Sequence, residues 1–503
     1  MRSGAETSVN DPASSQTDPR FVPTERVWIW FLSKLTQLRG VKIPGWVWVV
    51  LIWALMAFPA ASLRGTHFEE GTVIGLARGA LDDGHWLTPH RYGIRFTERP
   101  VLLSWIIALL GMPLGGISVL TARLPHLLFL LGGGLMVFNL VRNQTRDAPA
   151  VFGACCWFAC PMIAQKFVTA EPDVTMSVLM FAAFVMWWKG EARRNISLRR
   201  WIAIGFVLAA AGLTKGPQPL AYFSLGVGTY ILVKQRWNDV AGFVGAHLVA
   251  GLIVASWYGL VMHADDIDNW KRHSRLGEHM SPAQWTRDHL DFLVSIVVEW
   301  LPGSLLIVPA AIALARKKLT HDQDLVLALL LYALVCSLAL VLWPGGIATR
   351  YAMPANLALA VLCGLLFDRW WSEKTWLIAA VNTIAITIST SVVILGWIVM
   401  PLRPQAFSQT AIAGQTIAAV RALVPGPVYF SNAAANMNIM AYVEAPVREM
   451  TTAEFEHLTR PALAIVTQEE IALLTASSPQ LKIISHAQLK DKIASIVVEI
   501  RPN

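Results

Sequence analysis

Apolar runs recur along the chain near 45–62, 124–141, 149–165, 174–188, 201–213, 217–233, 239–261, 291–314, 325–343, 350–367 and 375–400. Most approach the roughly 20 residues that a bilayer-spanning helix needs, and 201–213 is the shortest. A further run, 101–117, is ambiguous. After Met400 the pattern changes to short β-like runs, Val428–Ser431, Leu463–Val466, Lys482–Ser485 and Ile493–Ile500, alternating with helical stretches. The expected architecture is an α-helical polytopic membrane protein with about 11 spanning helices, further interfacial helices and a small C-terminal α/β domain. Residues 1–44 read as a cytoplasmic N-terminal tail, 45–403 as the transmembrane domain that holds the chemistry, and 404–503 as the small exterior domain.

Basic residues between the runs set the orientation, because short cytoplasmic loops carry an excess of Lys and Arg. Arg142 and Arg146, the Lys189–Arg200 group, Lys234 and Arg236, and Arg316, Lys317 and Lys318 all read as cytoplasmic. Arg20, Arg26, Lys34, Arg39 and Lys42 place the N-terminus there too. With 45–62 leading out and 124–141 leading back, 101–117 cannot complete a crossing and becomes a re-entrant or interfacial helix on the outer side. The C-terminus then lies outside. Five unusually polar segments fall on that one face: the 64–100 loop, the Glu171/Asp173 turn, the Thr214–Lys215–Gly216 turn, the 262–290 loop and the Trp343–Tyr351 turn. A transporter would be expected to gather such residues near the midplane; polar residues on one face suggest an outward-facing active site.

Composition excludes the soluble alternatives. Hydrophobic residues make up 55% of the 503 and charged residues 15%, with 21 Trp and 20 Phe. A soluble fold cannot bury that much apolar surface behind so few charges. The net charge of +8 sits in the short loops, so it reports orientation and not a nucleic-acid partner. Cys155, Cys156, Cys160, Cys336 and Cys363 lie within the apolar runs and read as packing residues. The first run follows a polar leader and lacks a small-residue cleavage site, as an uncleaved anchor would.

Four motifs carry candidate chemistry. His67-Phe68-Glu69-Glu70-Gly71 places two carboxylates at a membrane exit, followed by Phe96-Thr97-Glu98-Arg99-Pro100 before an apolar helix. Ala170-Glu171-Pro172-Asp173 opens a span, where Asp also serves as a helix cap. In Gly212-Leu213-Thr214-Lys215-Gly216-Pro217 the flanking glycines let backbone approach an anion; a snorkelling lysine is the plainer account. In Gly345 to Pro354, Arg350 offers a planar fork suited to phosphate oxygens. The 262–290 loop holds His263, His273, His279 and His289 among Asp265, Asp266, Asp268, Glu278 and Asp288. That leaves a divalent metal open, but no fixed ligand spacing supports one, and a flexible loop over the site is the plainer reading. Nucleotide-binding and serine-nucleophile motifs are missing, so a transferase here would draw on a lipid-linked sugar phosphate.

Taken in order, the acidic pair, G-x-W-x-x-P, E-R-P, Ala122–Pro125 (A-R-L-P), Asp173, L-T-K-G at Leu213–Gly216 and R-Y-x-x-P at Arg350–Pro354 resemble the GT-C superfamily of integral-membrane glycosyltransferases. The branch resembled is that of the lipid A aminoarabinose transferases and, more distantly, the protein O-mannosyltransferases. The resemblance covers roughly 45–400 and rests on the series, since no one motif is specific. It implies inverting transfer of one sugar from a polyprenyl-phosphate donor to an envelope glycan, lipid or protein acceptor at the periplasmic face of a bacterial inner membrane. It also makes the C-terminal α/β domain periplasmic. The family's catalytic carboxylate, usually Asp, falls on Glu69, with Glu70 beside it, and its second acidic residue on Asp173. Glu98 and Arg99 match its Glu-Lys pair, with Arg in place of Lys. Lys215, Arg350 and Tyr351 fall on donor-side positions, and a loop histidine on His273 or His279. The rival readings are a lipid-linked-sugar transporter that does not transfer and a non-catalytic assembly subunit.

Overall fold

A computed structural model describes residues 43–192, 196–217, 220–273, 281–317, 323–343, 347–371, 376–444, 446–489 and 493–502. Among the described residues, each apolar run is built mainly of helix. Five helical stretches among these residues are long and apolar enough to cross a bilayer unaided: Gly45–Leu63, Val119–Arg142, Trp237–Val261, Gln323–Val341 and Trp376–Leu402. The chain is thus a polytopic helical membrane protein. Its remaining helices, among them Asp147–Ala159, Pro172–Glu191, Leu198–Lys215 and Leu220–Val233, are shorter or carry charged ends. They contribute much of the apolar core, with Trp157, Phe158, Phe181, Phe184, Trp187 and Phe223 fully buried.

One expectation needs correction. The run 291–314 reads as a single span, but the structure divides it into Pro282–Glu299 and Ser304–Ala315, which meet at 88°. Pro302-Gly303 lies at the break, and a proline inside a helix removes one hydrogen bond and clashes with the preceding turn. Hydropathy averages over such a residue, so the run looked continuous.

The ambiguous run 101–117 contains only the ten-residue helix Leu102–Gly111. At 1.5 Å per residue it is about 15 Å long, half the hydrocarbon thickness. It packs on the helix Glu70–Leu81, where Val73, Ile74, Ala77 and Ala80 meet Leu103, Ile107 and Ala108 in a small core of their own, joined by Ala170 and Ala441. Between these helices a hairpin of β1 (His90–Arg91) and β2 (Ile94–Arg95) turns through Gly93, whose φ of +90° suits glycine.

The C-terminal region forms a five-stranded mixed sheet from β3 (Val428–Ser431), β4 (Val447–Met450), β5 (Ala462–Val466), β6 (Leu481–Gln488) and β7 (Ile496–Pro502), in the order β4-β3-β5-β7-β6. β3 pairs in parallel with β4 and β5, and β7 pairs antiparallel with β5 and β6. Successive residues of a strand face opposite sides, and the two faces are covered separately. Leu463, Ile465 and Val497 pack with Ile417 and Val420 of helix Gln409–Leu423. Ala464, Val466 and Val498 pack with Leu474 of helix Gln468–Ser477. β4 was not legible in sequence, since Val-Arg-Glu-Met is half polar. It forms the edge strand that receives the first loop, where the Glu449 N–H donates to the Tyr92 carbonyl at 2.9 Å.

Candidate active site

The polar segments gather at one end of the bundle. Glu69 caps the N-terminus of helix Glu70–Leu81, a position where the helix dipole favours negative charge. Arg99 ends the hairpin loop, and Arg350 lies in the 3₁₀ turn Thr349–Ala352. Lys215 is the last residue of its helix, which Gly216 terminates at φ +101°. Asp173 stands in the first turn of Pro172–Glu191.

These side chains form one charged network. Arg99 grips Glu69 in a fork, Nη2 to Oε1 at 2.8 Å and Nε to Oε2 at 3.0 Å. Arg350 Nη1 donates to the same Oε1 at 2.9 Å. The Glu69 N–H donates to Glu171 Oε1 at 3.3 Å. Asp173 pairs with Lys215 and, at 3.1 Å, with Lys166, which also pairs with Glu171. The Tyr351 ring lies 5.4 Å from Lys215 Nζ and 5.9 Å from Arg350 Cζ. Lys215 and Lys166 are nearly buried, whereas Arg99, Arg350 and Glu69 keep 26%, 37% and 25% of their side-chain surface exposed. The open mouth of the site is therefore the Glu69–Arg99–Arg350 triad. Arg350 Nε is buried without a hydrogen-bond partner among the described residues, a donor left over for something else.

Burial alone would push the Glu69 carboxyl up. The charges of Arg99, Arg350 and Lys215 outweigh it and hold it down at about 2. Around this point stand four cations (Lys166, Arg99, Lys215, Arg350) and three carboxylates (Glu69, Glu171, Asp173). The surplus is positive, at the end of a low-dielectric bundle where fixed charges act strongly. The arrangement can accept an anion such as a phosphate beside a carboxylate that is ionised at neutral pH.

Glu70 does not sit where a substrate contact would. It is fully buried, pairing with the equally buried Arg123 through Nε to Oε1 at 2.8 Å and Nη2 to Oε2 at 2.9 Å. The amides of Ala170 and His67 donate to the same two oxygens at 3.0 and 3.1 Å. With both oxygens occupied, it has nothing to offer a ligand. Arg123 also donates to the carbonyls of Ala61, Arg64 and Gly65, so the pair ties the first helix to the first loop.

Glu98 neighbours the triad, and its carbonyl accepts from Arg99 Nη1 at 3.4 Å. His273 ends the helix Ala264–His273, and His279 lies outside the described residues. Asp266 anchors that helix to the first loop: Arg95 forks onto it at 2.8 and 3.0 Å, and the Thr97 hydroxyl donates at 2.6 Å. His289 is buried, its ring nitrogens facing the carbonyls of Trp285 and Trp343. Among the described residues no three His, Cys, Asp or Glu side chains are grouped to hold a metal ion. All five cysteines are buried and unpaired.

Sequence reasoning missed Lys166 at this end of the bundle, and it placed Glu171 on this face without a role of its own. Lys166 left a signal: it is a lone lysine just past an apolar run, at the end away from the basic clusters that orient the rest. Arg123 stood within a quoted motif without an assigned role.

The family model described as dolichyl-phosphate-mannose-protein mannosyltransferase matches residues 98–258. An undecaprenyl phosphate-alpha-4-amino-4-deoxy-L-arabinose arabinosyl transferase of Pseudomonas aeruginosa (strain UCBPP-PA14) is 28% identical over 330 residues, 63% of this chain and 59% of that one. An undecaprenyl phosphate-alpha-4-amino-4-deoxy-L-arabinose arabinosyl transferase 1 of Pseudomonas fluorescens (strain Pf0-1) is 22% identical over 76% of this chain and 68% of its own length. The chain thus matches about three fifths of the length of the Pseudomonas aeruginosa relative. Among solved structures, ArnT from Cupriavidus metallidurans bound to undecaprenyl phosphate superposes with a TM-score of 0.67 at 15% identity, covering 94% of this chain and 98% of that one. The chain resembles the GT-C integral-membrane glycosyltransferases of the aminoarabinose transferase branch, in fold and in sequence.

Proposed function

We propose that this chain, a GT-C-like protein in fold and sequence, is an inverting glycosyltransferase. It moves a single sugar from a polyprenyl-phosphate donor to an acceptor at the periplasmic face of a bacterial inner membrane. The acceptor is lipid A, an envelope glycan, another lipid or a protein. The observation that carries this is the open triad of Glu69, Arg99 and Arg350 backed by Lys215. It sets a carboxylate against a cluster of phosphate-binding cations, and these come from three separate elements converging at one end of the bundle.

In the reaction Glu69 takes the proton of the acceptor hydroxyl or amine as that atom bonds to the anomeric carbon. The bond from that carbon to the phosphate oxygen breaks with inversion, and its electron pair leaves on the polyprenyl phosphate. Arg99, Arg350 and Lys215 meet the charge that develops there, in a site of low dielectric where such stabilisation is strong. The two guanidinium forks of Arg99 and Arg350 suffice to grip phosphate oxygens from two sides. Asp173 holds Lys215 and Lys166 in place. Eleven crossings, with the bent pair Pro282–Glu299 and Ser304–Ala315 counted as one, a cytoplasmic N-terminus and a periplasmic C-terminal domain complete the reading, with the Leu102–Gly111 helix walling the site beside the lipid tail.

The test is transfer by the purified protein in detergent, supplied with radiolabelled undecaprenyl-phosphate sugars, aminoarabinose first, and an envelope lipid extract. Transfer by wild type and its loss in Glu69→Gln support the proposal. Donor binding without transfer to any acceptor would favour a transporter or an assembly subunit. Equal transfer by both proteins would remove Glu69 as the base and leave Asp173 as the next candidate.

A further inference from the structure

We infer that Asn438, in the C-terminal domain, is a positioning residue for the reacting carboxylate, and that this domain holds the first loop in its working shape. The inference rests on the reading of Glu69 given above. Asn438 belongs to the short helix Met437–Met440, yet its bonds fall on both sides of Glu69. Its Nδ2 donates to the Phe68 carbonyl at 3.0 Å, and its Oδ1 accepts from the Gly71 N–H at 3.0 Å. Its own carbonyl accepts from the Thr66 hydroxyl at 2.6 Å. One residue therefore brackets the acidic pair at 66, 68 and 71.

Two backbone features show that the bracket imposes a shape. Phe68 has a φ of +53°, a left-handed conformation that is a genuine outlier for a bulky side chain. Strained backbone of this kind persists only where its surroundings over-determine it, and Asn438 holds the carbonyl of that very residue. At Gly71, a Cβ would stand 2.0 Å from the Met437 carbonyl oxygen, so only glycine lets the domain come this close. Farther along the helix the contacts are of another kind. Arg78 donates to the carbonyls of Met440, Ala441 and Val443, and Arg448 forks onto Asp83 at 2.5 and 2.6 Å. Those contacts fix the helix to the domain, whereas Asn438 sets the turn that carries Glu69.

An amide suits the task because it offers a donor and an acceptor in one plane. Aspartate keeps the acceptor for Gly71 and loses the donor to Phe68. A shift of about 1 Å at a reacting group can lower the rate about a hundredfold. Phosphate affinity depends instead on Arg99, Lys215 and Arg350, which come from other elements.

The experiment uses the full chain in detergent, comparing wild type, Asn438→Ala, Asn438→Asp and Arg448→Ala. The last breaks the same interface away from Glu69. Two readouts are taken: kcat and KM for transfer, and the Kd of undecaprenyl phosphate against pH. The binding readout needs neither the sugar nor the acceptor to be known. Glu69 faces Arg99, Arg350 and Lys215, with Glu171 on its backbone amide and Lys166, Asp173 and His67 nearby. A turn that slips would loosen the two arginines, so the Glu69-dependent part of the binding profile, set against Glu69→Gln, would move to higher pH. The expected result is a 10- to 100-fold fall in kcat for Asn438→Ala, a smaller fall for Asn438→Asp, KM within about threefold, and that upward move in the profile. Arg448→Ala should lower thermal stability with kcat nearly unchanged. The inference is overturned if Asn438→Ala keeps wild-type kcat and profile, or if Arg448→Ala loses as much kcat as it does. If Asn438→Ala does not fold, Asn438→Asp with an unmoved profile overturns it as well. Full transfer by Glu69→Gln would instead overturn the reading of Glu69.

Discussion

Replacing Glu69 by glutamine should tighten the binding of undecaprenyl phosphate while abolishing transfer. A phosphate entering beside Arg99 and Arg350 meets donors that Glu69 already engages at 2.8 to 3.0 Å. The carboxyl falls from 4.5 to about 2 although burial opposes the fall. At about 1.4 kcal/mol per pKa unit that is roughly 3 kcal/mol of net attraction. The Glu69 side chain is a quarter exposed, so solvent screening reduces this to about 2 kcal/mol. Because each guanidinium has five donors and can serve two anions at once, about 1 to 2 kcal/mol remains to be recovered when the carboxylate is removed. The expected effect is a roughly 5- to 30-fold lower Kd, measured by calorimetry in detergent at pH 7. Transfer should fall by about 10² or more through loss of the base. Unchanged or weaker binding by Glu69→Gln would refute the reasoning, because it would mean that the carboxylate does not compete for the phosphate site.

Other expectations follow from the same geometry. Because the Glu69 carboxyl is held below its ordinary value, its ion pairs stabilise the fold fully above about pH 4.5, and that contribution is lost as pH falls toward 2. The pH profile of kcat/KM, which reports the free enzyme, should show no Glu69-dependent acid limb above about pH 5; a limb near pH 6 that vanishes in Glu69→Gln would contradict this. Glu70→Ala leaves Arg123 buried without its partner, at a cost of about 3–5 kcal/mol. Thermal melts should show a far larger loss than for Glu69→Gln, and equal melting temperatures would count against the assignment of Glu70 as structural. A cysteine at Trp105, on the short Leu102–Gly111 helix, should be reached by a membrane-impermeant thiol reagent only from the periplasmic side. Cytoplasmic labelling would overturn both the wall and the orientation.

The pattern of apolar runs revealed the helices because burial in lipid demands long apolar segments whatever their packing. It did not reveal the 88° break at Pro302, since one proline barely alters a running average. Glu69, Asp173, Arg99, Lys215 and Arg350 stand in short motifs at the ends of apolar runs, and the structure brings them together. What each charge touches was not legible. Two adjacent glutamates look alike in sequence, yet Glu69 faces the open mouth and Glu70 faces Arg123, 53 residues away. Their separation depends on which side of a helix start each occupies. Lys166 escaped because its partners Glu171 and Asp173 read equally well as helix caps. β4 escaped because an edge strand is only half buried and carries no alternating signature. Asn438 had no signal at all, for its role is created by a contact across 367 residues.

That separation bears on how the protein comes into being. The first loop is made early, soon after the opening helix, but the residue that shapes it arrives only after the last apolar helix. The bonds from 66, 68 and 71 must close across nearly the whole chain, and contacts so distant in sequence form late. A growing chain therefore carries its charged residues in the membrane for most of its synthesis without the geometry to use them. Competence would await the docking of the domain that carries Asn438, and a chain stopped before residue 438 would insert its helices yet stay inert.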